Sequence, residues 1–179
     1  MLKEIRPALL AFLALTFLTG FVYPLAVTAF AQLFPLQAGG DPALIGQPFS
    51  DPKYFWSRPS ATGPMPYNGA ASSGSNQGPT NKALADAVAE RVKALREADA
   101  GNAGAVPADL VTASASGLDP HISPQAAEFQ LARVARVRQL DEGKLREVVA
   151  VHTEGRTFGF LGEPRVNVVR LNLALDALK

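Results

Sequence analysis

The sequence predicts an α+β (or α/β) fold: a single N-terminal transmembrane helix, then one small domain of three to four helices and a few short strands. Three observations lead there. Ala8 to Phe34 is a run of 27 residues without a charge. Beyond it, apolar residues recur at helical spacing behind capping residues at Asn81 and Ser123. Between these, residues 35–80 are rich in Pro, Gly, Ser and Asn, which favours turns and short extended pieces over long elements. The implied divisions are a tail at 1–7, a membrane helix at 8–34 and a domain at 35–179.

As a helix, the uncharged run is about 40 Å long, against a hydrocarbon core of about 30 Å. Fourteen of its residues are Leu, Phe or Val, which favours insertion by roughly 4–8 kcal/mol. Its threonines, Thr16, Thr19 and Thr28, lower that little, because a hydroxyl can bond back to a helix carbonyl. A cleaved signal peptide is the competing reading, since Lys3 and Arg6 precede the run and Ala29-Phe30-Ala31 has a small-x-small form. The run is about twice the length of a signal core, which favours a retained anchor. Lys3 and Arg6 flank its start and no Lys or Arg follows until Lys53, so the N-terminus is expected in the cytoplasm and residues 35–179 outside. Thr16, Gly20 and Pro24 recur every four residues, with Tyr23 beside them; the spacing fits equally a seam where a second helix approaches closely and the general enrichment of Gly and Pro in membrane helices.

After Pro35 the chain carries fifteen basic and fifteen acidic residues, so the domain is neutral and lacks the footprint of a nucleic-acid binder. It has no cysteine, which removes disulfides, thiolate zinc sites and a thiol nucleophile. The aromatics of Tyr54-Phe55-Trp56 and Tyr67 argue for a packed segment rather than a disordered one. Gly69 to Asn81 is small and polar and reads as a flexible Gly/Ser loop in preference to a ligand-cradling one.

A helix is expected from Asn81, as N-cap, to about Ala98, with Leu84, Val88, Val92 and Leu95 on one stripe. Leu110 to Ala113 suits a short strand. Ser123-Pro124 starts a second helix, running to about Leu140 with Ala127, Leu131 and Val134 inward. A third covers about Lys144 to His152, and Phe158 to Leu161 reads as extended. Val166 to Leu178 fits helix and strand, with helix favoured behind Asn167 as cap.

Catalytic signatures fail on inspection. Gly143-Lys144 lacks the rest of a phosphate-binding loop, and Gly74 to Gly78 places Asn where a nucleophile elbow needs Ser. Asp119-Pro120-His121 reads as a turn rather than an acid–base pair. Arg133, Arg136 and Arg138 form a basic cluster that reads as a solvated face in preference to a site for an acidic partner. A tethered cell-envelope hydrolase, or an exported binding protein released after Ala31, stays as an alternative.

The ordered words of the chain add to this. They are Arg6-Pro7-Ala8-Leu9, Thr19-Gly20-Phe21-Val22-Tyr23-Pro24, Ala43-Leu44-Ile45-Gly46-Gln47, Arg58-Pro59-Ser60-Ala61-Thr62, Met65-Pro66-Tyr67-Asn68 and Ser73-Gly74-Ser75-Asn76. Later come Ala115-Ser116-Gly117-Leu118-Asp119, Ile122-Ser123-Pro124-Gln125-Ala126-Ala127 and Asn172-Leu173-Ala174-Leu175-Asp176. Over nearly its whole length the chain resembles the C subunits of bacterial Kdp-type potassium-transporting ATPases. Two departures stand out: Arg170 replaces the Glu usual three residues after Asn167, and an insertion carried by some relatives before Ala43 is shortened.

That resemblance implies a non-catalytic accessory subunit in the cell (inner) membrane, needed for assembly of a high-affinity potassium uptake complex. Its partners would be a potassium-carrying channel-like subunit, a P-type ATPase subunit and a small stabilising subunit, besides membrane lipid. It implies no independently bound cofactor, ATP and potassium being handled by the complex. A proposed role in raising the ATP affinity of the pump is linked to the segment matching Ser73, Gly74, Ser75 and Asn76. ATP is cytoplasmic, so with the domain outside this role requires coupling through the membrane subunits; otherwise the orientation is reversed.

Overall fold

The computed structural model describes residues 2–33 and 41–178 and divides into two compact units after Asp41. The expected end of the anchor at Phe34 and the first residues of the Pro/Gly-rich stretch, 35–40, lie outside the described residues.

The first unit is helical. Helix α1 (Leu2–Phe17) leads through one π turn (Leu18–Val22) into α2 (Tyr23–Gln32). Helix thus begins within the residues assigned to the tail. Lys3 to Gln32, 30 residues containing an 18-residue stretch with a mean hydropathy of 2.0, is the one helix among the described residues long and apolar enough to cross a membrane. The π turn has a local cause. Pro24 has no N–H to give the preceding turn, and the Tyr23 N–H reaches back five residues to the Leu18 carbonyl. Thr19 Oγ1 donates to the Leu15 carbonyl at 2.8 Å, the back-bond expected of a threonine in an apolar helix.

The second unit has four helices and a three-stranded sheet. Its helices are α3 (Lys82–Ala98), α4 (Pro124–Arg138), α5 (Glu142–Val151) and α6 (Val168–Ala177). Each starts on a side-chain cap: Asn81 Oδ1 accepts from Ala83 N, Ser123 Oγ from Ala126 N, Asp141 Oδ1 from Lys144 N, and Asn167 Oδ1 from Arg170 N. Arg170 in place of an acidic residue therefore leaves the Asn167 half of the cap intact. The strands are β1 (His121–Ile122), β2 (Thr153–Glu154) and β3 (Arg165–Asn167), ordered β1-β3-β2 and antiparallel throughout, which makes the fold α+β.

Helix α4 is the centre of the core. Its Ala126, Ala127, Leu131, Val134 and Ala135 are buried in one cluster with Phe55, Ile122, Leu145, Val166, Val168, Leu171 and Leu175. Helix α3 contributes less: of its expected stripe only Leu95 is fully buried, with Val88 and Val92 packed at the edge.

Several expectations are corrected. Leu110 to Ala113 is no strand. A 3₁₀ turn spans Ala108–Leu110, and Thr112 folds back on the Ala108 carbonyl with both its N–H and its Oγ1. Phe158 to Leu161 is a tight turn, with Phe158 and Gly159 at positive φ and Phe160 N donating to Thr157 O. The last helix begins at Val168, because Val166 and Asn167 belong to β3. Arg133 is not solvated but 1% exposed. Its guanidinium lies 4.7 Å over the Trp56 ring and donates to Gln130 Oε1 at 2.7 Å and to the Pro52 carbonyl. Burial pushes its pKa down to about 10, so it stays charged at neutral pH.

Residues 45–57 hold no regular element, yet Phe55 is fully buried. Side-chain amides take the place of a neighbouring strand. Asn172 accepts from Phe55 N at 3.0 Å and donates to Phe55 O at 2.9 Å. Gln130 does the same for Trp56, at 2.8 and 3.2 Å. Asn172→Ala strands two buried backbone groups and is expected to destabilise the fold by about 2–5 kcal/mol. Chemical unfolding of the full chain in detergent, compared with the parent, measures this.

Candidate functional site

The polar centre of the domain is built where four of the sequence words meet. Ser60 Oγ donates to Gly117 O at 2.7 Å and accepts from Tyr67 N at 2.9 Å. Thr62 Oγ1 donates to Met65 O at 2.8 Å and accepts from Asn68 N at 3.0 Å. The Tyr67 hydroxyl donates to the Arg58 carbonyl, and burial raises its pKa above the ordinary phenolic value. Gly117 lies in the middle at φ +69°, where a Cβ would come within 2.4 Å of Thr62 Cγ2 and 2.7 Å of Ser73 O. Only glycine fits there. Gly46 belongs to the same centre: its N–H donates to Leu118 O, and a Cβ would meet the Tyr67 ring.

Ser73-Gly74-Ser75-Asn76 lies along one side of this knot. Ser73 N donates to Ser116 O at 3.0 Å, as does the Ser72 hydroxyl at 2.9 Å. A Cβ on Gly74 would sit 2.9 Å from Ala115 O, so the segment runs hard against the 115–116 backbone. Asn76 takes a positive φ of 52°, a conformation asparagine accepts more readily than most residues.

On its other side the knot carries charge. Arg58 pairs with Asp119 at 3.5 Å and donates to the carbonyls of Thr112 and Ala113. Asp119 Oδ1 accepts from His121 N at 3.0 Å and faces the ring Nδ1 at 3.2 Å, the turn geometry expected from its sequence. Arg58 and Asp119 line two open clefts, one of about 740 Å³ with Asp109, His121 and Arg165, the other of about 390 Å³ with Ser114 and Ser116. None of Ser73, Gly74, Ser75 and Asn76 lines either cleft. Ser123, two residues from His121, keeps its Oγ on the start of α4 and its N–H on Asp109 Oδ2. Among the described residues no group of three or more His, Asp or Glu is placed to hold a metal ion.

The seam residues lie in the other unit. In a pure α-helix the eight residues from Thr16 to Pro24 turn about 800°, leaving the two about 80° apart. The π turn between them absorbs one extra residue and brings them to within about 20°. Thr16, Gly20 and Pro24 thus form a nearly straight row, with Tyr23 about 100° round from Pro24. No heavy atom lies within 4 Å of where a Gly20 Cβ would stand.

A family profile described as K+-transporting ATPase, c chain, matches residues 5–177. The chain belongs to this family. It is 63% identical to a potassium-transporting ATPase KdpC subunit of Polaromonas naphthalenivorans, over 98% of this chain and 95% of that one. It is 60% identical to those of Methylococcus capsulatus and Sorangium cellulosum, over the full length of both chains in each case. All the quoted sequence words lie inside the matched residues, and several of them meet in the polar centre described above. What the sequence did not reveal is that Ser60, Thr62 and Gly117 are its hub. The closely spaced hydroxyls of Ser60-Ala61-Thr62 were a signal for the local 65–68 turn they hold, but the Gly117 carbonyl that Ser60 meets lies 57 residues away.

The Asp119 carboxyl responds to pH in a definite direction. Burial raises its pKa, but the His121 ring and backbone N–H and the Arg58 charge outweigh this and hold it below 3.8. A depressed carboxyl contributes stability that is fully present above the unfolded value and lost as pH falls through the folded one. Asp119→Asn is therefore expected to be less stable than the parent at neutral pH and to lose less on acidification. Thermal unfolding measured between about pH 5 and pH 2 reads the difference in slope.

Proposed function

We propose that this chain is a non-catalytic accessory subunit of an ATP-driven potassium uptake complex, anchored by its N-terminal helix and needed for assembly of the pump. The single observation that carries this is the family match over nearly the whole chain, with relatives named as subunits of a potassium-transporting ATPase. The helix spans the cell (inner) membrane with Lys3 and Arg6 on the cytoplasmic side, and the domain from Pro42 onward stands outside. Its partners are the potassium-carrying subunit, the P-type ATPase subunit and the small stabilising subunit of the same complex. ATP and potassium are bound by those partners. A contribution to ATP affinity then passes through the membrane as coupling between subunits, with the Ser73–Asn76 segment as part of the domain that transmits it.

Within the bilayer, the row of Thr16, Gly20 and Pro24 is the docking seam, with Tyr23 at its margin. Small side chains let a partner helix come close, and the straightened row lengthens the strip over which it can do so. The domain works by shape: its polar knot holds the stretches around Gly46, Ser60, Tyr67 and Gly117 in one arrangement that is presented to the partner.

Two experiments test this. Tagged chain, expressed with the rest of the pump and extracted in mild detergent, is expected to retain a P-type ATPase subunit. Gly20→Leu is expected to lower that recovery while leaving the chain in carbonate-washed membranes; unchanged recovery removes the seam. Sidedness is read with Glu97→Cys, a unique thiol on the exposed face of α3. A membrane-impermeant maleimide is expected to label it in intact spheroplasts, and labelling only after permeabilisation reverses the orientation.

A further inference from the structure

From the hairpin that joins β2 to β3, we infer that its tip is a lipid-seated finger, in which Phe158 and Phe160 enter the headgroup region of the bilayer that holds the anchor. The inference rests on the anchored reading above and adds a second membrane contact, made by the domain itself.

The hairpin presents its apolar residues outward. Phe158 is 83% exposed, Phe160 69% and Leu161 50%. Phe158 sits at φ +55° and Gly159 at φ +82°, the left-handed region that a bulky side chain sparsely adopts. The backbone there is fixed by Thr157 and Leu161, which bond each other at 2.9 and 3.0 Å. Below the tip, Arg156 donates to both oxygens of Glu163 at 2.8 and 2.7 Å, and Arg165 pairs with Glu154 at 2.8 Å. Two ion pairs thus brace the stem and neutralise it. The result is a rigid apolar tip on an electrically balanced stalk, so little ordering remains to be done on binding.

Size and tether select the occupant. The exposed tip offers roughly 300–400 Å² of apolar surface, well below the roughly 800 Å² per partner of a stable protein interface. A small apolar tip suits shallow insertion into lipid, where it adds to an anchor already present. Leu33, beside the end of the apolar helix, and Asp41 are eight residues apart, a stretch no conformation extends beyond about 30 Å. The domain therefore cannot leave the vicinity of the bilayer. Because the stem is neutral, the seat is zwitterionic lipid as readily as anionic lipid.

The test uses the full chain, which has no native cysteine. Phe160→Cys, and Glu97→Cys as a control, are each labelled with an environment-sensitive fluorophore and reconstituted into phosphatidylcholine vesicles containing headgroup-level spin-labelled lipid. The expected result is quenching at position 160 and none at 97, undiminished by salt and unchanged when phosphatidylglycerol is added. Phe158→Ser in the labelled chain is expected to reduce the quenching, which separates insertion by the native ring from insertion by the dye. A label at 160 that stays unquenched while the chain survives a carbonate wash overturns the finger alone. Shielding at 160 that arises only when the other pump subunits are present overturns it in favour of a protein seat. A chain that washes off the vesicles overturns the anchor reading and this inference with it.

Discussion

The domain depends on how a buried stretch without secondary structure satisfies its own backbone. A chain segment in the core carries an N–H and a carbonyl at each residue, and leaving them unpaired is costly. Here three side-chain amides supply the missing partners. Asn167 donates at 2.7 Å to the carbonyl of Ala43, in the 3₁₀ turn Pro42–Leu44 that leads into the stretch, Asn172 holds both groups of Phe55, and Gln130 holds both groups of Trp56. All three amides are buried and stand on α4, on α6 or at the N-cap of α6. The irregular segment is thereby fastened to the two helices that hold most of the core.

Arg133 extends the same device. Its buried charge is met by the Pro52 carbonyl, by Gln130 and by the face of Trp56, so the amide that grips Trp56 is itself oriented by a cation. Arg138 closes the outer end. It donates to the carbonyls of Lys53 and Leu175 and to Asp176, and it lies over the Tyr54 ring, whose hydroxyl also donates to Asp176. Arginine suits these places because its planar fork serves several acceptors at once and still stacks on an aromatic ring. Residues 52–56 are therefore held by helix side chains along their length.

A second irregular region is organised by hydroxyls and close backbone approach rather than amides. Ser60 and Thr62 gather the 65–68 turn, and Gly117 lets the 114–118 loop enter without a side chain. The Ser73–Asn76 segment rests on that loop. The groups of the Asp119–His121 turn are engaged in holding it and in pairing with Arg58. Within this knot the polar side chains are satisfied largely by one another and by nearby backbone.

What the sequence determined by itself was local. An uncharged run of sufficient length must be helical in lipid, whatever surrounds it. Asn81, Ser123 and Asn167 cap the helices that follow them because capping is decided within three residues. The ordered words determined the family, since a full-length match needs no geometry. Tertiary structure decided everything that needed a distant partner. Two-residue strands such as His121–Ile122 and Thr153–Glu154 are too short to show alternation and exist only because β3 lies between them. Leu110 to Ala113 has strand-like residues but no strand to pair with, and it turned instead. Arg133 read as a surface charge because neither Trp56 nor the Pro52 carbonyl, some eighty residues earlier, is visible from its neighbours in the chain. Pairing energy belongs to partners, and partners are chosen by the fold.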